Sequence, residues 1–207
     1  MKGVIFDFDM TLIDSSHAML QSFEKLHQRF GCPRVSREKL MSAVGFHDEA
    51  FWEATIGGMT DEMEAFYTTH CAPFEPLDFV AFDGAKELVK KLKALGLKLA
   101  VATNRADVGE LMSRTGLAPY FDFVACSGMV AHPKPAPDML HLALDALGLA
   151  PDEAVYVGDT AIDLRAGKAA GLRTVALATS SAVDELKAHD PWHICQDYAQ
   201  LEALLTA

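Results

Sequence analysis

Cross-linking residues are scarce in this chain. Its 207 residues include four cysteines, Cys32, Cys71, Cys126 and Cys195. They are widely spaced and form no C-x-x-C pattern, so a disulfide framework and a zinc site are both poor readings, and reduced thiols are expected. Positive charge is short as well: 18 basic residues stand against 29 acidic ones, a formal net charge of −11. That balance argues against a broad surface for a nucleic-acid polymer or an anionic membrane, since both are polyanions. It does not exclude a small phosphorylated metabolite, because a few local positive groups and a metal outweigh the mean field at short range. No apolar run reaches membrane-spanning length, and no basic, apolar and small-residue succession marks a signal peptide. A cytoplasmic protein is expected, a monomer by default with a homodimer as the alternative.

What is present is apolar and periodic. Half of the residues are hydrophobic, enough for one sizeable core and a small second domain. The chain opens MKGVIFDFDMTLIDS. Its "KGVIFDF" is a short β-branched and aromatic run suited to a buried strand. Past the aspartates the period changes: Met19, Phe23, Leu26 and Phe30 recur at helical spacing, and Gly31 stands where the helix should stop. From Arg37 to Phe79 the pattern is helical but broken at Gly45, Gly57-Gly58, Pro73 and Pro76. Three or four short helices are expected there and no strand. Residues 15–78 therefore read as an inserted helical cap domain, with linkers near Ile13 to Ser16 and Asp78 to Gly84. Residues 1–14 and 79–207 read as the core.

After Asp83 helix, glycine and strand recur. Ala85, Leu88, Val89, Leu92 and Leu95 mark one helix face, Gly96 closes it, and "LKLAVAT" follows. A helix from about Asp107 to Thr115 leads to "FDFVACS", one from Pro137 to Leu147 leads to "AVYVGDT", and one from Ile162 to Ala170 leads to "RTVALAT". "HIC" suits a short edge strand before a helix from about Tyr198 to Leu205. Such alternation predicts an α/β fold with a Rossmann-like parallel sheet, covered on both faces and wound by right-handed crossovers. Small-molecule sites in such sheets lie beyond the carboxyl ends of the strands.

Four strand ends carry chemistry: Asp7 to Asp14, Thr103 to Arg105, Ser127 to Lys134, and Gly158 to Asp163. Asp7 and Asp9, two residues apart, leave a strand on the same side. Asp159 and Asp163 are four apart, which places them on one face of a helical turn. Carboxylates gathered this way need a proton or a cation between them. All-oxygen ligands suit Mg²⁺, which keeps waters and engages substrate phosphate. Asp7 can attack phosphorus to form an aspartyl-phosphate. Asp9 can protonate the departing alkoxide and then activate water, while its backbone carbonyl binds the metal. Thr103 offers a hydroxyl to a phosphate oxygen, and Lys134, flanked by Pro133 and Pro135, neutralises phosphate and Asp7. Asn104 and Arg105 are pocket candidates because the same rim orients them. Asp14 suits support of the following helix better than chemistry. Arg37, Phe46, His47 and Trp52 are cap-side candidates for substrate contact or closure.

In order along the chain, "DFDMTLID", "ATN" ending at Thr103 and Asn104, Lys134 in "KPAPDM", and "GDTAID" resemble the four motifs of the haloacid dehalogenase-like hydrolases. The likeness is strongest to the phosphoglycolate phosphatase-like phosphatases. The resemblance implies Asp7 as nucleophile, Asp9 as acid and base, and Thr103 and Lys134 as phosphate ligands. It implies Mg²⁺ on Asp7, the Asp9 carbonyl and Asp159, with Asp163 as a further ligand or as a partner positioning Lys134. Asp9 sets the chain apart from the dehalogenases, which usually lack it. The implied activity is Mg²⁺-dependent hydrolysis of a small phosphate monoester, with 2-phosphoglycolate as the first substrate to consider. A sugar-phosphate mutase, a nucleotidase, a pyrophosphatase and a catalytically silent phosphate-binding module remain open. Met10 departs from the pattern, which commonly has glycine there. Methionine makes a positive-φ turn costlier, so an altered turn or an altered pocket wall is expected.

Overall fold

The computed structural model describes residues 1–73, 78–106 and 108–207. Pro76 and Asp107, expected above as a helix break and a helix start, lie outside the described residues. Along the chain run the strands β1 (Gly3–Phe6), β2 (Ile13–Asp14), β3 (Val80–Ala81), β4 (Lys98–Thr103), β5 (Phe123–Cys126), β6 (Ala154–Gly158), β7 (Arg173–Leu177) and β8 (His193–Cys195). The helices are α1 (Ser16–Phe30), α2 (Arg37–Met41), α3 (Asp48–Ile56), α4 (Asp61–His70), α5 (Ala85–Ala94), α6 (Gly109–Arg114), α7 (Asp138–Leu147), α8 (Ala161–Ala169), α9 (Val183–Lys187) and α10 (Tyr198–Leu205).

Six strands form one parallel sheet in the order β5-β4-β1-β6-β7-β8. β1 lies at its centre, Phe6 opposite Val101 of β4 on one side and Val157 of β6 on the other. A strand flanked this way is buried on both faces, which is why all four of its residues are apolar or glycine. Successive side chains part to opposite layers. Val4 and Phe6 join Leu88, Val89 and Leu92 of α5 and Leu201 and Leu205 of α10. Ile5 joins Met139, Leu140 and Leu144 of α7 and Ala166 of α8. Chain direction across the sheet reverses at β1, and that crevice is where an open α/β sheet takes a ligand.

Helices α1 to α4 build a third cluster from Phe23, Leu26, Leu40, Val44, Ile56 and Met63. The Asp14 carboxylate accepts from the Ser16 backbone N–H at 2.9 Å, so it does support the start of α1. Gly31, at φ 68°, ends that helix. Two stretches read as linkers turn out to be paired: Ile13 and Asp14 in β2 run antiparallel to Ala81 and Val80 in β3. Neither carries alternation long enough to predict a strand. Leu95, placed on the buried face of α5, lies just past the helix and is 58% exposed, because the chain leaves the helical path there.

Met10 corrects its expectation. It adopts φ 57°, the left-handed conformation that glycine enters freely, so the turn is not avoided. Its side chain is fully buried in the cluster of α1 to α4. A left-handed residue costs roughly 1–2 kcal/mol. Burying a methionine side chain returns about 1.5–3 kcal/mol, so packing offsets the strain. The Thr179 hydroxyl also donates to the Met10 carbonyl, fixing the turn from the end of β7.

Candidate active site

The centre of the rim is a buried lysine between two carboxylates. Lys134 Nζ donates to Asp7 Oδ1 at 2.6 Å and to Asp163 Oδ1 at 2.7 Å, and lies 3.0 Å from the Tyr156 hydroxyl. The lysine is 1% exposed. Burial alone would favour its neutral form, but Asp163 and Asp7 outweigh that and hold its pKa above the ordinary value. Asp7 is the opposite case. Burial pushes its pKa from 3.8 up to about 7, with Lys134 pulling against that and Asp163 and Asp9 adding to it.

Asp163 is saturated with donors. Besides Lys134 it accepts from Tyr156 Oη at 2.7 Å, from Thr160 N at 3.1 Å and from Thr160 Oγ1 at 2.6 Å. Its own N–H returns to Thr160 Oγ1, so one box caps α8 and fixes the carboxylate. Despite burial its pKa is lowered, chiefly by Lys134 and by Thr160. Gly158 permits this approach: a Cβ there would lie 2.3 Å from that of Asp163. Asp159 is also buried. It accepts from Thr11 Oγ1 at 2.7 Å and from the Ser180 hydroxyl. Burial, then Asp163 and Asp7, push its pKa well above 3.8.

One carboxylate oxygen of each of Asp7, Asp159 and Asp163 lies within 4.8 Å of the other two. Three buried acids against one lysine leave negative charge uncompensated, and the donors are all oxygen, so the set fits a hard divalent cation. The four bonds on Asp163 occupy about all the acceptor sites of a carboxylate. Among the described residues Asp7 accepts only from Lys134. Asp7 and Asp159 therefore keep more acceptor capacity for a cation than Asp163, which is engaged with Lys134, Tyr156 and Thr160.

Asp9 stands apart from this trio. Arg105 donates to both its oxygens, Nε at 2.6 Å and Nη2 at 2.8 Å. Thr103, at the end of β4, is buried, and its Oγ1 accepts from Arg105 N at 3.2 Å. Asn104 works as a clamp. Its Oδ1 accepts from Lys134 N at 2.9 Å, and its Nδ2 donates to the carbonyls of Lys134 at 3.0 Å and Gly45 at 2.7 Å. Gly45, at φ +91°, brings the loop after α2 into reach.

Asp7, Asp9, Thr103, Asn104, Arg105 and Lys134 thus line one cavity of about 100 Å³, closed from above by side chains of residues 19–67. Phe46 and Trp52 line it; Arg37 instead lines a separate groove beside α8 and α9. His47 is exposed and lines neither. Sequence reasoning missed Thr11, Tyr156, Thr160 and Ser180, whose isolated hydroxyls carry no pattern. It also missed Phe51 and Tyr67, which lie in a stretch read only as a succession of short helices.

A parallel sheet whose strand ends bring buried carboxylates, a lysine and an acid–guanidinium pair to one small cavity gives an enzyme site suited to an anionic substrate, with carboxylates that could hold a metal. The chain belongs to the haloacid dehalogenase-like hydrolases, whose family profile matches residues 4–177. It is 31% identical to pyrophosphatase PpaX of Bacillus pumilus over 99% of this chain and 96% of that protein. It is 29% identical to phosphoglycolate phosphatase of Thiobacillus denitrificans over 82% of this chain and 80% of that one. Its fold is that of a haloacid dehalogenase-like family protein from Streptococcus pneumoniae, with TM-score 0.86, 20% identity and coverage of 99% and 98%. Among the described residues no helix is long and apolar enough to cross a membrane.

Proposed function

We propose that the chain is a Mg²⁺-dependent phosphatase that hydrolyses a small phosphate monoester through an aspartyl-phosphate on Asp7. The observation that carries this reading is Asp7 itself, buried at the sheet centre with one oxygen held by Lys134 and the other without a donor among the described residues. Asp7, Asp159 and the Asp9 carbonyl would hold Mg²⁺, which would supply the charge compensation that lets an anionic carboxylate meet an anionic phosphate.

Lys134 fixes Asp7 and neutralises phosphate oxygens, and Thr103 offers its hydroxyl to one of them. Asp7 attacks phosphorus as the bond to the alcohol oxygen breaks. Asp9 gives that oxygen a proton, then takes one from the water that hydrolyses the phosphoaspartate. Arg105 leaves Asp9 for the substrate phosphate during the cycle. Residues 15–78 act as a cap that excludes bulk water over a core of residues 1–14 and 79–207. The protein works as a cytoplasmic monomer on a phosphorylated metabolite, without nucleic acid or membrane.

The test is a panel of phosphate esters, with 2-phosphoglycolate and pyrophosphate included, assayed with and without Mg²⁺. Mg²⁺-dependent phosphate release that disappears in Asp7→Asn supports the reading. Folded, Mg²⁺-loaded protein that releases no phosphate from any ester rejects it.

A further inference from the structure

We propose that the alcohol part of the substrate is uncharged and presents an apolar or aromatic face, so that the site turns over phosphates of neutral alcohols ahead of phosphorylated acids and pyrophosphate. The inference rests on the phosphatase reading and names the substrate class of that same cavity.

The cavity has two unlike walls. The sheet rim supplies every charge. The opposite wall is Met19, Val44, Phe46, Phe51, Trp52 and Tyr67, with the Gly45 backbone between them. Trp52 is set by its neighbours, its ring centroid 5.1 Å from that of Phe51, 4.9 Å from Tyr67 and 5.5 Å from Phe23. Such ring contacts fix orientation, so this apolar wall is formed before a ligand arrives.

No cation faces the alcohol side. Residues 15–78 contain five basic side chains, Lys25, Arg29, Arg34, Arg37 and Lys39, and none of them lines the cavity. Arg34 pairs with Glu24, Arg29 with Glu62, and Arg37 donates to Ser16 Oγ. Residues 74–77 and 107, outside the described residues, include no lysine or arginine. On the rim, Lys134 is shared by Asp7 and Asp163, and Arg105, paired with Asp9 before it turns to the transferred phosphate, is left with no hold for a second charge. A carboxylate or second phosphate on the substrate would be desolvated against aromatic rings with no fixed partner, in a site already rich in acids. An unpaired buried charge is the costliest group such a wall can receive. A neutral ring or chain gains contact area there at no such cost.

The test uses matched pairs that differ in one charge, on the Mg²⁺-loaded full chain: 4-carbamoylphenyl phosphate against 4-carboxyphenyl phosphate, and 2-phosphoglycolamide against 2-phosphoglycolate. The neutral member of each pair is expected to show a kcat/KM higher by about tenfold or more, the least that an unpaired buried charge costs. Phe46→Arg, at a wall position 38% exposed and so open to substitution, should raise the charged members and narrow that ratio. Equal turnover, or preference for the charged member, in the unaltered protein overturns the inference while leaving the phosphatase reading intact. The pairs decide the matter without the variant. Turnover of neither member while other esters release phosphate also overturns the inference, and no release from any ester removes the phosphatase reading with it.

Discussion

Arg105 closes both oxygens of Asp9, at 2.6 and 2.8 Å, and its guanidinium carbon lies 4.9 Å from the Phe79 ring centroid. The acid expected to move a proton is therefore held shut by a neighbour that also lines the cavity. On the proposed mechanism, opening that pair is a step of the cycle, and Asp9 acts only after it. Asp9→Asn is predicted to lower kcat by about 10²–10⁴-fold, the usual worth of general acid–base catalysis. Binding of a phosphate analogue should change little. Steady-state kinetics that retain more than about a tenth of kcat would take proton transfer away from Asp9.

Metal binding and pH should be linked. Burial raises the Asp7 pKa in the folded protein to about 7, above its unfolded value near 4. A raised folded pKa gives stability that is complete below the unfolded pKa and is lost as pH rises through the folded one. Between about pH 4 and pH 7 the metal-free protein should lose this contribution. Mg²⁺ needs the ionised carboxylate, so the rise in Tm on adding Mg²⁺ should be larger at about pH 8 than at about pH 5. An increment that shrinks with pH would place the cation elsewhere.

Met10 trades strain against packing. Met10→Ala keeps the left-handed backbone and loses the buried side chain, so it should cost about 2–5 kcal/mol. Met10→Gly loses the same packing but relieves the turn, and should cost about 1 kcal/mol less. Urea unfolding ranks the three proteins; alanine above glycine would mean that the turn carries no strain.

Asn104→Ala strips partners from the Lys134 N–H and from the carbonyls of Lys134 and Gly45. A loss of about 1–3 kcal/mol is expected if those groups stay buried. Because one amide holds both the Lys134 loop and the loop after α2, kcat/KM should fall together with resistance to proteolysis within residues 15–78. Unchanged cleavage there would show that the clamp does not restrain those helices.

The parallel sheet was legible because its strands are short apolar runs and the helices that lead to β4, β5, β6 and β7 stop at or just before Gly96, Gly116, Gly148 and Gly171, all left-handed in the structure. The rim was legible because aspartates and a lysine next to apolar strands stand out against their surroundings. β2 and β3 were not, since two residues carry no period, and their pairing is decided by contacts distant in sequence, Ile13 with Ala81 and Asp14 with Val80. The hydroxyls of Thr11, Tyr156 and Ser180 were hidden for a related reason: each acts on an aspartate outside its own element, a pairing that only the fold brings about. Met10 was half legible. The sequence marked a costly turn at that position, while the destination of the side chain depends on helices α1 to α4 folding back over it.

The central place of β1 sets an order of events during synthesis. Gly3 pairs with Lys98 and with Ala154, and the loop that follows β1 is tied by the Tyr198 hydroxyl to the Thr11 carbonyl. A growing chain exposes Asp7 and Asp9 long before it contains Lys134, Asp159 or the helix that anchors them. Pairings over such distances form slowly and leave unpaired edges exposed meanwhile. On the ribosome the strand that leads to the two aspartates is made early and becomes part of a site late, so a prematurely ended chain holds both acids without the lysine that pairs with Asp7.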